Sequence, residues 1–151
     1  MIHVETTTHI DRPVEDVFAY VDDLARLPEW IDIIADSAAS EPTTRIGTRV
    51  TNRIDLLGRH FRNVLEVVER EPNRRITLRA DEPFTVTGTF LTEPEDGGTR
   101  FTAVLDAQPG AFFRLGEPLL AGVGRRRFNG HLRRLKGRLE RRDPTGRRRA
   151  A

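Results

Sequence analysis

The stretch HIDRPVEDVFAYVDDLARLPEW, residues 9–30, decides the fold. It opens on the end of an extended run and turns at Asp11-Arg12-Pro13. Asp11 is a helix-capping residue type, and Pro13 suits a first helical turn, where a missing amide hydrogen leaves nothing unpaired. Val14, Val17, Phe18 and Val21 then share one face of a short helix. A second short turn over residues 22–27 is expected to end before Pro28, since the residue preceding proline is pushed out of the α region. The only Trp of the chain, Trp30, follows at once. A Trp at that point either plugs a core or lines a place where another molecule goes.

Upstream, residues 2–10 alternate. Ile2, Val4, Thr6, Thr8 and Ile10 fall on one side, and His3, Glu5, Thr7 and His9 on the other, which is a strand. Downstream the texture changes to six strand-like runs, near 33–41, 47–57, 59–70, 75–80, 84–92 and 100–107. Turn chemistry separates them: Gly58, Pro72-Asn73, and Glu95-Asp96-Gly97-Gly98. Consecutive strands joined by tight turns form an antiparallel sheet, here of seven strands. Val50, Asn52, Ile54 and Leu56 share a face, as do Phe61, Asn63, Leu65 and Val67. Ile76, Leu78 and Ala80 go together, then Phe84, Val86, Gly88 and Phe90, then Phe101, Ala103 and Leu105. The opposite positions are mostly Arg, Thr and Glu, so one face is apolar and the other wet.

The cover for that face is the last segment. Phe128, Leu132, Leu135 and Leu139 make a helical stripe within a helix expected over residues 118–142. Gly122 and Gly124 sit where the stripe slips phase, and a bend or a loosened turn is expected there. Residues 1–143 then form one domain, with 144–151 a disordered basic tail.

With no Cys, disulfides, thiolate catalysis and thiolate metal sites are excluded. No two His have ligand spacing on one helix, and neither a metal nor a cofactor is expected. No run of 18 or more apolar residues and no basic-then-apolar leader appears, which leads to the expectation of a soluble, cytoplasmic protein. The net charge of +2 conceals an asymmetry: residues 1–124 carry 13 Arg against 21 acids, and residues 125–151 carry 12 Arg and Lys against 2 acids. The basic segment reads mainly as a solvated helix whose arginines pair with acids on the sheet. Aromatic residues are not interleaved with it, so no nucleic acid is expected as partner. Transient contact with an anionic membrane is the secondary reading. Oligomeric state is not encoded in any pattern here.

At this point the order of elements, strand, two short helices, six antiparallel strands and one long helix, carries a resemblance. IDRPVEDVFAYVDDLARLPEW, GGTRF leading into a late strand, and HLRRLKGRLE near the end resemble the START-like superfamily, also called SRPBCC or the polyketide cyclase/dehydrase and lipid-transport group. The resemblance covers about residues 2–142. It implies an α+β helix-grip fold, in which the sheet curls round the C-terminal helix and leaves a cavity between them. It also implies that Trp30 sits by the cavity mouth.

The expected function is binding of a small hydrophobic or aromatic molecule in that cavity. Two alternatives stand beside it, a polyketide aromatase/cyclase or dehydrase, and a module that binds a partner through the cavity mouth or the Arg-rich helix. A partner module would expose an apolar patch around Leu119, Leu120 and Val123. Phe112, Phe113 and Leu115 lie just upstream, in a stretch that reads equally as part of that patch or as a flap over the cavity. The expected wall is Trp30, Asn52, Ile54, Asn63, Leu65, Leu78, Phe84, Phe90, Phe128 and His131. Asn52 and Asn63 are the polar members: they orient a ligand, or they bond each other, the backbone or a buried water. Gly88 reads as a bend in the sheet or as space for a ligand. His131 borders the helical stripe. It acts as acid, base or donor in the cavity, or else stands on the rim bonded to solvent or an acid. No nucleophile constellation and no phosphate-binding glycine pattern is present.

Overall fold

The computed structural model describes residues 1–113 and 116–141. The elements run β1 (Ile2–Ile10), α1 (Val14–Asp22), a single 3-10 turn (Leu24–Arg26), α2 (Leu27–Trp30), β2 (Ile34–Ala39), β3 (Arg49–Leu56), β4 (Arg59–Glu71), β5 (Arg75–Ala80), β6 (Thr85–Glu95), β7 (Gly98–Gln108) and α3 (Glu117–Glu140). All seven strands form one antiparallel sheet in the order β1-β7-β6-β5-β4-β3-β2. Strands β2 to β7 are therefore a meander, and β1 returns to close the far edge on β7. This is the expected α+β helix-grip architecture. The expected tail at 144–151, and Leu115, lie outside the described residues.

Turn chemistry fixes the register. Asp96 and Gly97 both have positive φ, 47° and 79°, which is the two-residue hairpin turn whose twist matches that of the strands. Leu57 and Gly58 repeat it at 51° and 77°. The pairing of β4 with β5 shifts between Val67 and Glu69, and that of β2 with β3 between Ile34 and Asp36. Such bulges bend a strand and raise its twist, and this is how the sheet curls.

The alternation sorts the faces as expected. Val50, Asn52, Ile54, Val67, Ile76, Leu78, Phe90, Phe101 and Ala103 are buried on the concave side. Thr77 departs from the wet set: it is buried and its hydroxyl lies 3.2 Å from that of Thr89 on the neighbouring strand. Helix α3 lays Leu132, Leu135 and Leu139 into the concave side, each almost wholly buried, at roughly 1.5–3 kcal/mol per side chain.

Three local expectations are corrected. Helical structure does not stop before Pro28 but runs through it to Trp30, because Pro28 stands in the first turn of α2, where proline is tolerated. Asp11 does not cap α1: Pro13 occupies the cap position without a side-chain bond, and the Asp11 amide donates instead to Glu140 (2.8 Å). No turn of α3 is loosened at Gly122 and Gly124: the helix runs without interruption through both. A Cβ on Gly124 would lie 3.5 Å from Val4 of β1, so that glycine marks the close approach of helix to strand.

The arginines of α3 also pair differently. Arg127 reaches Asp32 (3.3 Å) and Arg138 reaches Glu29 (3.5 Å), both acids of the segment around α2. Acids on the sheet pair with arginines of the sheet, as in Arg49–Glu66 and Arg100–Glu93. A chelated pair ties α1 to the sheet: Arg70 donates from Nε and Nη2 to the two carboxylate oxygens of Asp22, at 2.9 and 2.8 Å. No helix among the described residues is long and apolar enough to cross a membrane.

Candidate functional site

The curled sheet and α3 do not close on each other completely. Between them lies a cavity of two lobes. The outer lobe holds about 150 Å³ and extends towards the β3–β4 turn at Leu57 and towards Pro109 and Phe113 after β7. The inner lobe holds about 130 Å³ and ends against α2 at Leu27, Trp30 and Ile31. The lobes share Ile33, Ile54, Asn63, Val86, Leu105, Phe128 and His131, which form the waist. A dry apolar cavity of about 150 Å³ is enough to hold benzene. Each lobe alone is smaller than the usual small-molecule pocket, about 300–1,000 Å³.

Every expected wall residue lines this cavity. Trp30, Asn52, Leu65, Leu78 and Phe90 face the inner lobe, Phe84 the outer one, and Ile54, Asn63, Phe128 and His131 both. Trp30 lines only the lobe that ends against α2. It is 1% exposed and meets Phe90 and Phe101 edge to face, with ring centroids 5.2 and 6.0 Å away. It is a core residue on one side and cavity wall on the other.

At the outer end Phe61, Phe84, Phe112 and Phe113 form an aromatic cluster, with Phe61 and Phe112 at 5.0 Å and Phe84 and Phe112 at 5.2 Å. The Arg59 guanidinium lies 4.1 Å from the centroid of the Phe112 ring. Leu120 is buried and Val123 lines the outer lobe, so only Leu119 of the suggested partner patch is exposed.

The polar atoms of the wall are few. Asn52 and Asn63 stand opposite each other on β3 and β4. Ser37 donates its hydroxyl to Asn52 Oδ1 (2.6 Å), and Asn52 Nδ2 donates to Asn63 Oδ1 (3.1 Å). The two amides therefore bond each other, and the chain of bonds holds Asn63 at the waist with one bond accepted at its Oδ1. Asn63 also borders a polar groove on the outer face, beside Arg62, Val64, Arg79 and Glu82.

His131 is 3% exposed, and its Nε2 lies 2.8 Å from Asp32 Oδ1. Burial is the main influence on the imidazole and lowers its pKa below 6.5. The bond and charge of Asp32 oppose this only in part, and Arg134 and Arg127 add to the lowering. For Asp32, burial works to raise the carboxyl, but the bond from His131 and the charges of His131, Arg127 and Arg134 outweigh it, so the carboxyl sits below its ordinary range. At neutral pH the pair is a neutral imidazole beside a carboxylate. With Nε2 donating to Asp32, Nδ1 carries the lone pair, and that atom is buried with no partner. Trp30 Nε1 is a second buried polar atom without a partner. The other histidines lie elsewhere: His3 against Asp106, His9 against Glu95 and His60 against Asp55, all on the outer side.

Asp32 is the residue that the sequence reading missed. Its contact spans 99 residues of chain, and nothing local to Trp30-Ile31-Asp32-Ile33 announces it.

Residues 1–140 match the family described as polyketide cyclase / dehydrase and lipid transport. The chain belongs to this family. Solved structures agree on the fold. A START superfamily protein from Mycobacterium smegmatis is 15% identical and superposes with a TM-score of 0.77, covering 91% of this chain and 97% of that one. A protein from Thermus thermophilus is 21% identical, with a TM-score of 0.76 and coverage of 91% and 96%. The Zhui aromatase/cyclase from a Streptomyces species is 18% identical, with a TM-score of 0.73 and coverage of 95% and 97%. No curated protein matches the chain in sequence. Membership in the polyketide cyclase/dehydrase and lipid-transport family supports ligand binding or cyclisation as the general activity.

Proposed function

We propose that this protein binds one small hydrophobic or aromatic molecule between the sheet and α3, as a carrier or binding protein. The observation that carries the reading is the two-lobed cavity, apolar in its wall and interrupted by Asn63, His131 and Trp30. A few polar groups on an apolar wall fix orientation, while the apolar remainder supplies affinity. A folded domain normally fills its interior to crystal-like density, so a retained cavity of this extent has a use. Native mass spectrometry of protein purified gently from its own host tests this. A stoichiometric added mass, released on denaturation as one hydrophobic compound, is the expected result. An empty protein that also fails to take up small aromatic compounds overturns it.

The second reading, a cyclase or dehydrase, is favoured by the His131–Asp32 pair. A neutral imidazole oriented by a carboxylate is the arrangement of a general base, and His131 is a residue of the cavity wall. Turnover of the released compound, abolished by His131→Ala with binding retained, would establish this reading over the carrier.

A further inference from the structure

Resting on the cavity reading above, we propose that Arg59 and Phe112 form a latch across the entrance of the cavity, and that this latch sets how fast a molecule enters and leaves rather than how tightly it is held. Of the described residues that line the two lobes, only Leu57 and Arg127 are exposed, and both line the outer lobe alone. The cavity therefore meets solvent at its outer end. Two segments face each other there. Leu57 and Gly58 make the tight turn before β4, and Arg59 is the first residue of that strand. Across from it, residues 109–112 make a turn of their own, in which the Phe112 amide donates to the Pro109 carbonyl (2.9 Å) and Gly110 holds φ at 55°. Pro109 and Phe113 of this segment line the outer lobe. Phe112 does not: it packs instead on Phe61 of β4 and on Phe84, with ring centroids 5.0 and 5.2 Å away, and the Arg59 guanidinium lies 4.1 Å from its centroid. No acid among the described residues pairs with Arg59, so its charge is spent on that ring. A cation on an exposed phenyl ring shifts an opening equilibrium by about two- to fivefold. Parting the two segments breaks this contact. Neither Arg59 nor Phe112 lines either lobe, so a molecule already inside touches neither. Loss of the contact then raises the open population of the empty and the filled protein alike, and entry and exit quicken together.

The test follows two small probes, p-xylene and p-cresol, with the full-length protein. Calorimetry gives the dissociation constant of each, and NMR exchange spectroscopy gives its rate of release. Arg59→Gln keeps a long polar side chain and removes the cation. The expected result is that both probes enter and leave about two- to fivefold faster while their dissociation constants stay the same. Arg59→Lys, which restores a cation at the same place, should bring the rates back towards those of the wild type. Phe112→Leu should quicken exchange as well, and Arg59→Gln added to it should then change nothing further, because the partner is already gone. Should Phe112→Leu fold poorly, the two substitutions at the exposed Arg59 answer the question alone. Unchanged rates in Arg59→Gln overturn the latch and leave the cavity in place. So does a weaker dissociation constant with the entry rate unaltered, which would mean that Arg59 touches the bound molecule. If the wild-type protein binds neither probe, the cavity reading falls, and this inference with it.

Discussion

His131 Nε2 and Asp32 Oδ1 lie 2.8 Å apart although 99 residues separate them in the chain. One comes from the middle of the long helix and the other from the link between α2 and β2. Their contact fixes the tautomer of a buried histidine at the waist of the cavity. It also pins the helix to the segment that carries Trp30.

Burial and local partners predict how two of the histidines titrate. His131 should titrate below 6.5, because burial disfavours its charged form. His3 should titrate above 6.5, because of its bond to Asp106 and then that residue's charge. Just below 6.5 the unfolded chain binds a proton at residue 131 and the native state does not, so stability falls as pH drops through that window to the lowered folded value. Asp32 acts lower down: its contribution is present above its ordinary 3.8 and is lost as pH falls through its depressed folded value. Proton-detected titration of the imidazole resonances checks the first part. Urea midpoints of wild type and His131→Gln against pH check the second, and parallel curves between pH about 6.5 and 5 would contradict it.

The amide pair predicts non-additive stability. Asn52 is fully buried and sits between Ser37 and Asn63. Asn52→Ala strands both neighbours and should cost about 1–3 kcal/mol. Converting Asn52 and Asn63 to Leu together removes one donor and one acceptor at once, and should cost less than the sum of the two single Leu changes. A double-mutant cycle by urea denaturation measures the coupling, and simple additivity would mean that the 3.1 Å bond contributes nothing.

Much of this was legible in the sequence, and the limits have physical causes. Period-two alternation assigns each strand residue to a face without knowledge of its neighbours, so the cavity wall from Ile54 to Phe90 could be read in advance. The stripe through Leu132, Leu135 and Leu139 is equally local. Pro28 misled because the rule against helix before proline says nothing about a new helix that begins beside it. Gly122 and Gly124 suggested a bend, but the reason for Gly124 is Val4, 3.5 Å from where its Cβ would be and on the first strand. Asp32 could not be paired with His131, since side-chain contacts between distant segments leave no periodic trace. Nor could two apolar lobes be told from a filled core, because that depends on packing volumes and not on pattern.

Leu57 predicts a gain in stability. It holds φ at 51° in a two-residue turn, a backbone state that disfavours a Leu and suits Asn. The side chain is 39% exposed and borders the outer lobe. Leu57→Asn should therefore raise stability by about 1 kcal/mol, seen as a higher thermal midpoint. An unchanged or lower midpoint would show that contacts of the Leu side chain at the mouth outweigh the strain in its backbone.

Gly88 separates ligand binding from folding. It sits in the middle of β6, on the face that lines the inner lobe, opposite Leu78 and Leu105 on the neighbouring strands. A Cβ there would meet no heavy atom within 4 Å. The reading of Gly88 as space for a ligand thus agrees with the geometry at that position. A strand glycine weakens the sheet through its backbone freedom, so a β-branched replacement that fits should not destabilise. Gly88→Val places its methyl groups in the inner lobe, where the proposed ligand would lie. The urea midpoint should stay equal or rise, while affinity for p-xylene and p-cresol should fall together by about tenfold or more, since the lost space is shared by both. Gly98→Ala is the contrasting control, since its Cβ would stand 2.5 Å from the Ile10 carbonyl oxygen and must displace β1. That variant should lose stability, although it lies outside the cavity wall. Unchanged affinity in Gly88→Val, with the fold intact, would place the bound molecule somewhere other than the inner lobe.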